Sequence, residues 1–368
     1  MITTVPAQTD VERRDAFAEQ LFRHTIGALE LMHVYVGERL GLYDALADGA
    51  AMSPPELADR TGIGERYARE WLEQQAVAGV LDAAEDAGEP GARRYRLPAS
   101  SAEVLCAQDG LFFLAPVAAM TVGIARTLPQ VLDAFRNGGG VPYGAYGADI
   151  QQGIARLNRP MFLNQLAQEW IPAMPDIEAR LRRADPPARV ADLGCGAGWS
   201  TLALGRAYPG AQIDGIDVDP PSVEEARRNA TAAGVGDRVR FTLGDASDPA
   251  LTGRYDLVTM FETLHDMAHP VEALRAARAM LADGGAVLVA DERVAESFTA
   301  PGDELERFNY GWSALHCLPV GLAEPGSAGT GTVIRPETVR RYANEAGFGS
   351  VTVLPVEHEF WRFYRLDP

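Results

Sequence analysis

From Ala16 to Leu46 apolar residues recur at helical spacing: Leu21, Ile26, Leu29, Leu31, Met32, Val36, Leu40 and Leu42. The stripe covers more than half of a helix surface, which predicts burial in a core or a dimer interface. Ser53-Pro54-Pro55-Glu56 reads as a capped helix start with proline in its first turn. Thr61-Gly62-Ile63 ends that helix. A second follows over Glu65–Val77, with Ala68, Trp71, Leu72, Ala76 and Val77 inward. Val80-Leu81 and Tyr95-Arg96-Leu97 then flank a Gly/Pro/acid loop. Helix, turn, helix and a short hairpin predict a winged helix. A helical middle runs from about 101 to 185 and is loosened at Asn137–Tyr143. Its uncharged stretch Gly110–Ala125 reads as a buried helix interrupted at Pro116, shorter than the roughly 20 residues of a membrane span.

After the hinge-like Asp185-Pro186-Pro187 the period changes. Short apolar runs suggest strands at Arg189–Leu193, Gln212–Ile216, Val239–Leu243, Leu257–Phe261 and Ala286–Ala290. Helical segments such as Ser222–Ala233 and Val271–Leu281 separate them. This alternation predicts a parallel sheet covered on both faces, an α/β fold. Two late strands, Ser350–Pro355 and Phe360–Leu366, predict a terminal antiparallel hairpin and a seven-stranded sheet. The expected division is 1–100, 101–185 and 186–368.

Composition narrows this picture. With 368 residues, 47% of them hydrophobic, the chain can bury more than one core. It contains no lysine, so every side-chain cation but histidine is arginine, and its formal net charge is −18. Such a surface disfavours binding to phosphate backbones. The helix that would read DNA, Gly64–Glu73, offsets Arg66 and Arg69 with three acids. Cys106, Cys195 and Cys317 are too few and too scattered for a disulfide framework. Met1–Asp15 is polar and lacks the apolar segment of a secretory leader. A cytoplasmic protein without membrane or nucleic-acid partners is expected.

The candidate chemistry lies at strand ends. Strand Arg189–Leu193 runs into Gly194-Cys195-Gly196-Ala197-Gly198, where glycines allow a tight turn and close ligand approach. A dinucleotide site would space its glycines GxGxxG and receive a pyrophosphate. Here the spacing is GxGxG, and Asp192 stands two residues before the first glycine, suited to a ligand carrying an ammonium and a sulfonium. Asp217 ends the second strand about 20 residues on, where an acid takes ribose hydroxyls. Asp245 follows the third, placed to accept from an adenine amine. The glycine loop alone is a weak signal; three acids on three successive strands strengthen it.

These residues resemble the class I S-adenosylmethionine (SAM)-dependent methyltransferases throughout Ala188–Pro368. The resemblance implies a Rossmann-like domain with SAM as cofactor. Asp192, Gly194, Gly196 and Gly198 match the first motif, Asp217 the ribose acid and Asp245 the adenine acid, with Ala246 and Phe261 beside the cofactor. Val36–Tyr43, Leu315–Pro319 and Gly329–Thr332 look typical of an actinobacterial architecture that fuses a winged helix to such a domain. Small-molecule O-methyltransferases carry a similar winged-helix dimerisation domain, so a homodimer is expected.

In related O-methyltransferases the segment after strand four carries a His-Asp or His-Asn whose histidine is the base. That implies His265 as base, neutral near pH 7, with Asp266 orienting it. An acceptor pocket is expected from Tyr143, Tyr146, Asn158, Met161, Phe162, Trp170, Met260, Trp312 and His316, favouring an aromatic or apolar small molecule. No metal is expected; a His265–His316 pair with Glu262 or Asp266 is the alternative. O-methylation is the leading reading, with N- or C-methylation open. The rivals are a SAM-responsive winged-helix regulator and a SAM-fold enzyme catalysing a rearrangement.

Overall fold

The N-terminal stripe forms a helix, α1 (Asp10–Arg39), in the computed structural model, which describes residues 9–84, 89, 91–183 and 185–368. The start of the Met1–Asp15 reading and most of the acidic tip of the wing lie outside the described residues. Thr9 and Glu12 cap α1 reciprocally, with Thr9 N donating to Glu12 Oε2 at 2.7 Å. The expected single helix to Leu46 is broken. Gly41 takes a left-handed φ of 65°, open to glycine at little cost, and α2 (Leu42–Leu46) sets off from it. Leu42, Tyr43 and Leu46 are buried, but Leu21, Ile26, Leu29, Met32, Val36 and Leu40 of the stripe are exposed. Of α1 only Gly37 is buried: the Tyr43 and Trp71 rings cover it so closely that a Cβ would lie 2.5 and 2.6 Å from them.

Helices α3 (Pro54–Thr61) and α4 (Glu65–Val77) make the helix–turn–helix, and β1 (Asp82–Ala83) pairs antiparallel with β2 (Tyr95–Arg96) as the wing. Ala68, Trp71 and Leu72 face the core as expected. Gln75 is buried where Val77, 90% exposed, was expected. The Gln75 amide oxygen accepts from Tyr43 Oη at 2.5 Å, which satisfies a polar group inside the core. After α5 (Ala99–Leu105), Pro116 starts α6 (Pro116–Asn137) and does not interrupt it. Leu111, Phe112 and Leu114 before it are exposed, so the expected buried helix begins later. The chain divides into two compact units, Met1–Val122 and Gly123–Pro368, the boundary falling within α6.

In the second unit a 3-10 turn (Tyr143–Tyr146) leads into α7 (Gly147–Asn164), a π-helical turn (Leu166–Trp170) and α8 (Pro175–Leu181). The α/β alternation then runs β3 (Arg189–Leu193), α9 (Trp199–Ala207), β4 (Gln212–Asp217), α10 (Pro220–Ala233), β5 (Val239–Leu243), β6 (Tyr255–Phe261), α11 (Pro270–Ala279) and β7 (Leu281–Glu292). Next come α12 (Glu304–Trp312), a π-helical turn (Ser313–Cys317), α13 (Leu318–Gly321), α14 (Pro336–Ala346), β8 (Ser350–Val353) and β9 (Trp361–Asp367). The seven strands lie in the order β5-β4-β3-β6-β7-β9-β8. β5 through β7 pair in parallel; β9 enters antiparallel between β7 and β8.

The pleat sends alternate residues to opposite faces, and each face has its own core. Val190, Leu257 and Phe261 pack on one side with α7, α9 and α10; Ala191, Val258 and Met260 pack on the other with α11 and α14. This leaves the carboxyl ends of β3, β4, β5 and β6 as the edge where the glycine loop and the acids meet, the usual ligand crevice of an open parallel sheet. Among the described residues no helix is long and apolar enough to cross a membrane.

Candidate active site

Asp192 is buried at the end of β3 and its carboxylate accepts from three hydroxyls. Oδ2 accepts from Ser200 Oγ at 2.6 Å and Thr201 Oγ1 at 2.7 Å, and Oδ1 accepts from Thr259 Oγ1 at 2.7 Å. It therefore ties the loop to α9 and β6. Gly194, Gly196 and Gly198 all have positive φ. At Gly198 a Cβ would strike the Phe241 ring at 2.6 Å, so packing requires glycine there. At Gly196, with φ of 51°, a Cβ would meet nothing within 4 Å: its open side is free for a ligand.

Asp217, half-buried at the end of β4, accepts from Gly196 N at 2.7 Å through Oδ2 and from Asp219 N at 2.8 Å through Oδ1. Each oxygen keeps a further lone pair. Burial raises its pKa above the usual aspartate value, against the two N–H bonds that lower it. Asp245, after β5, is exposed and closes its own turn by accepting from Ser247 N and Oγ, both at 2.8 Å; Ala246 beside it is half-buried. A glycine loop with an open side, a strand-end carboxylate with spare acceptors and an exposed acid one strand further fit the three parts of SAM that need them: the amino-acid end, the ribose and the adenine.

At the ends of β6 and β7 lies a cluster that sequence reasoning only half found. His265 is buried, its Nδ1 2.6 Å from Asp291 Oδ1 and its Nε2 3.3 Å from Asp266 Oδ1. Its backbone N also donates to Asp291 Oδ2 at 3.2 Å. Burial alone would depress this histidine, but Asp291 and then Asp266 outweigh it and hold the pKa well above the ordinary range. Burial opposes ionisation of Asp266 too, yet the His265 charge holds its pKa down. The two carboxylates thus favour the protonated form of the ring. The ring therefore leans toward protonation more than the expected neutral imidazole, while a carboxylate on Nδ1 is also the partner that makes a histidine more basic.

Beside it, Glu262 is the one non-glycine residue among the described positions with positive φ, 51°. Such a conformation costs on the order of 1–3 kcal/mol and persists where its surroundings fix it. The Asn158 amide donates to its carboxylate. Burial first, and then the neighbouring Glu262 charge, push Glu292 well above the glutamate range. Asp291 and Glu292 were missed because the fifth strand was ended at Ala290. The signal that picked out Asp217, an acid closing an apolar strand run, was present there as well.

The expected acceptor residues separate into two groups. Trp170 and Phe162 are core, not pocket: Trp170 is fully buried, with Phe162, Phe261, Trp361 and Phe363 rings 5.0–6.0 Å away. Phe261 belongs to the same cluster, and Met260 is fully buried on the opposite face. Met161 is partly buried against the first core. Tyr143, Tyr146, Trp312 and His316 do come together: the three rings stand 6.0, 4.6 and 6.3 Å from the His316 imidazole. Burial, then the charges of Asp217, Asp266, Asp219 and Glu262, push the half-buried Tyr143 phenol well up, so it lies toward the strand-end acids. His265, Asp266 and Cys317 bring nitrogen, oxygen and sulfur donors within 4.8 Å of one another. Among the described residues that grouping excludes His316, which removes the expected alternative of a His265–His316 metal pair.

Residues 190–285 match the family described as "Methyltransferase domain", and residues 27–107 match the "Rv2258c-like winged HTH domain". The ubiquinone biosynthesis O-methyltransferase of Marinobacter nauticus is 36% identical over 103 residues, 27% of this chain and 42% of that protein. The acetylserotonin O-methyltransferase of Mus musculus molossinus is 28% identical over 307 residues, 79% of this chain and 75% of that one. For several other curated relatives the chain spans only a quarter to under half of their length, 24% to 44%. Among solved structures, the mitomycin 7-O-methyltransferase MmcR aligns over 96% of this chain and 98% of its own, with a TM-score of 0.68 at 21% identity. The chain therefore has the class I methyltransferase fold joined to an N-terminal winged helix.

Proposed function

We propose that this chain, built on a methyltransferase domain and a winged helix, is a SAM-dependent O-methyltransferase of a small aromatic or apolar molecule. The observation that carries the reading is Asp217: it braces the glycine loop through Gly196 N and keeps free acceptor capacity at the ribose position. SAM, when bound, supplies a methyl group on a positively charged sulfur that leaves without protonation, so the protein's task is mainly alignment. Asp217 holds the ribose hydroxyls, Asp245 the adenine amine and the Gly196 backbone the amino-acid end. Tyr143, Tyr146 and Trp312 wall the acceptor and exclude water. His265, held through Nδ1 by Asp291 and beside Asp266, is the candidate general base for the acceptor hydroxyl.

The oxygen preference is supported by the named activities of the two relatives and the solved structure above. Exposed Phe22, Leu29 and Val36 on α1 support a homodimer. The three cysteines are all free thiols, which suits a cytoplasmic setting. The α4 cation Arg66 is paired with Glu70, which supports the absence of DNA binding. The test is calorimetry with SAM, then label transfer from methyl-labelled SAM to a panel of phenols, amines and activated carbon acids. Binding plus O-methyl ether products are expected. Saturable binding without transfer, or transfer only to nitrogen or carbon, would reject the proposal.

A further inference from the structure

We infer that Arg335, paired with Glu306, is the positioning residue that sets the acceptor wall at its distance from His265. The inference rests on the O-methyltransferase reading, because it takes α12, the π-helical turn after it and α13 as that wall. The turn ends at Cys317, whose sulfur lies within 4.8 Å of donor atoms of His265 and Asp266. A shift of the wall is therefore a shift against the base. On α13, Pro319 O accepts from Val141 N at 2.9 Å and so holds the segment that leads to Tyr143.

Arg335 stands at the N-cap of α14, and its guanidinium reaches two other segments. Nη1 donates to Ala295 O and, at 3.3 Å, to Glu306 Oε1. Nη2 donates to Glu306 Oε2 at 3.4 Å and to Tyr310 Oη at 3.3 Å. Glu306 Oε1 also accepts from Ala295 N at 2.6 Å. Both backbone groups of Ala295 are therefore held, just beyond the end of β7, the strand that carries Asp291, the partner of His265. Glu306 and Tyr310 lie a turn apart on α12, which runs on to Trp312. One guanidinium thus ties the acceptor wall to the strand exit behind the base.

An exposed ion pair would fix little, but Glu306 is 3% exposed. A buried carboxylate depends on its donors, and a planar fork satisfies it in one geometry only. The segment before Arg335 touches the wall a second time. Gly331 has a φ of 69°, and a Cβ there would meet Ser313 Oγ at 2.5 Å and Leu318 Cβ at 3.3 Å. Its backbone therefore lies directly against the π-helical turn. The Gly329–Thr332 stretch thereby gains a role: with Arg335 it braces the wall from behind, once at the turn and once at α12.

The experiment follows fluorine NMR of the full, fluorotryptophan-labelled protein with S-adenosylhomocysteine bound. Among its five tryptophans, Trp312→Phe and Trp199→Phe identify the resonance on the wall and the one beside the glycine loop. Arg335→Ala would strand a buried carboxylate, so Arg335→Lys is used, which keeps the charge but cannot fork, and separately Glu306→Gln. Both should shift or broaden the Trp312 line, leave the Trp199 line in place, and leave cofactor affinity in calorimetry unchanged. With a phenol that wild type methylates, kcat/KM should fall at least about tenfold, since a misplacement of about 1 Å can cost about 10²-fold. An ion pair that only stabilises would lower the melting temperature and move neither readout. A Trp312 line or a kcat/KM that keeps its wild-type value in both variants therefore overturns the inference. If wild type binds cofactor but methylates no phenol, the function reading fails, and the Trp312 line alone decides whether the pair holds this wall.

Discussion

Asp217 joins two tasks in one carboxylate: it braces Gly196 and it offers acceptors to the ribose. Charge-assisted hydrogen bonds contribute about 1.5–3 kcal/mol each, so Asp217→Ala should weaken SAM at least about tenfold in calorimetry while the protein stays folded. Because burial raises its pKa, affinity should begin to fall, as pH drops, above the ordinary aspartate range. An affinity flat down to pH 4 would remove the carboxylate from the site. Glu292 is read through stability. Its folded pKa is raised above 4.5, so its contribution is complete below about 4.5 and is lost as pH rises toward the folded value. The slope approaches about 1.4 kcal/mol per pH unit for one proton. Glu292→Gln cannot lose that proton, so in urea titrations it should gain on wild type between pH 5 and 8. Equal stability curves would show that Glu292 titrates normally. What the sequence displayed at this scale was residue type at a strand end; what it hid was which partner each side chain finds. Asp192 could be located but not seen to be held by Ser200, Thr201 and Thr259. His265 could be located but not seen to lie against Asp291, which approaches it from a neighbouring strand.

At the scale of elements, period carried far. Every strand of the large sheet was legible, because β-branched and apolar runs bounded by turns leave little alternative. Helix interiors were less legible. In α4 the inward face includes Gln75, whose amide is satisfied by Tyr43, and a polar residue in the core is invisible to a hydrophobicity pattern. The α1–α2 break was also missed, since Gly41 sits inside an unbroken apolar period. Gly37 gives this junction a test. Alanine there would gain up to about 1 kcal/mol of helix propensity. Overpacking against Tyr43 and Trp71 costs about 1–3 kcal/mol, and those rings already support each other edge-on at 5.1 Å. Gly37→Ala should therefore lower the melting temperature by a few degrees; an unchanged or raised melting point would mean the rings move aside freely.

For the whole molecule, the stripe on α1 was legible as too apolar for water, but not which surface it meets. Exposed Phe17, Phe22 and Leu29 leave that surface to a second chain, so Phe22→Asp with Leu29→Asp should turn a dimer into a monomer in light scattering. A wild-type monomer at micromolar concentration would contradict the proposal. The strand order has a consequence for motion. Residues near a chain terminus commonly fray, but β9, Trp361–Asp367, is an interior strand bonded to β7 on one side and β8 on the other. Its amides can meet solvent only when the sheet itself opens. Deuterium uptake at Phe363–Leu366 should therefore be as slow as at Val287–Val289 in β7, and orders of magnitude slower than in the exposed residues around Gly302. Fast uptake there would show that the last strand opens separately from the sheet it completes.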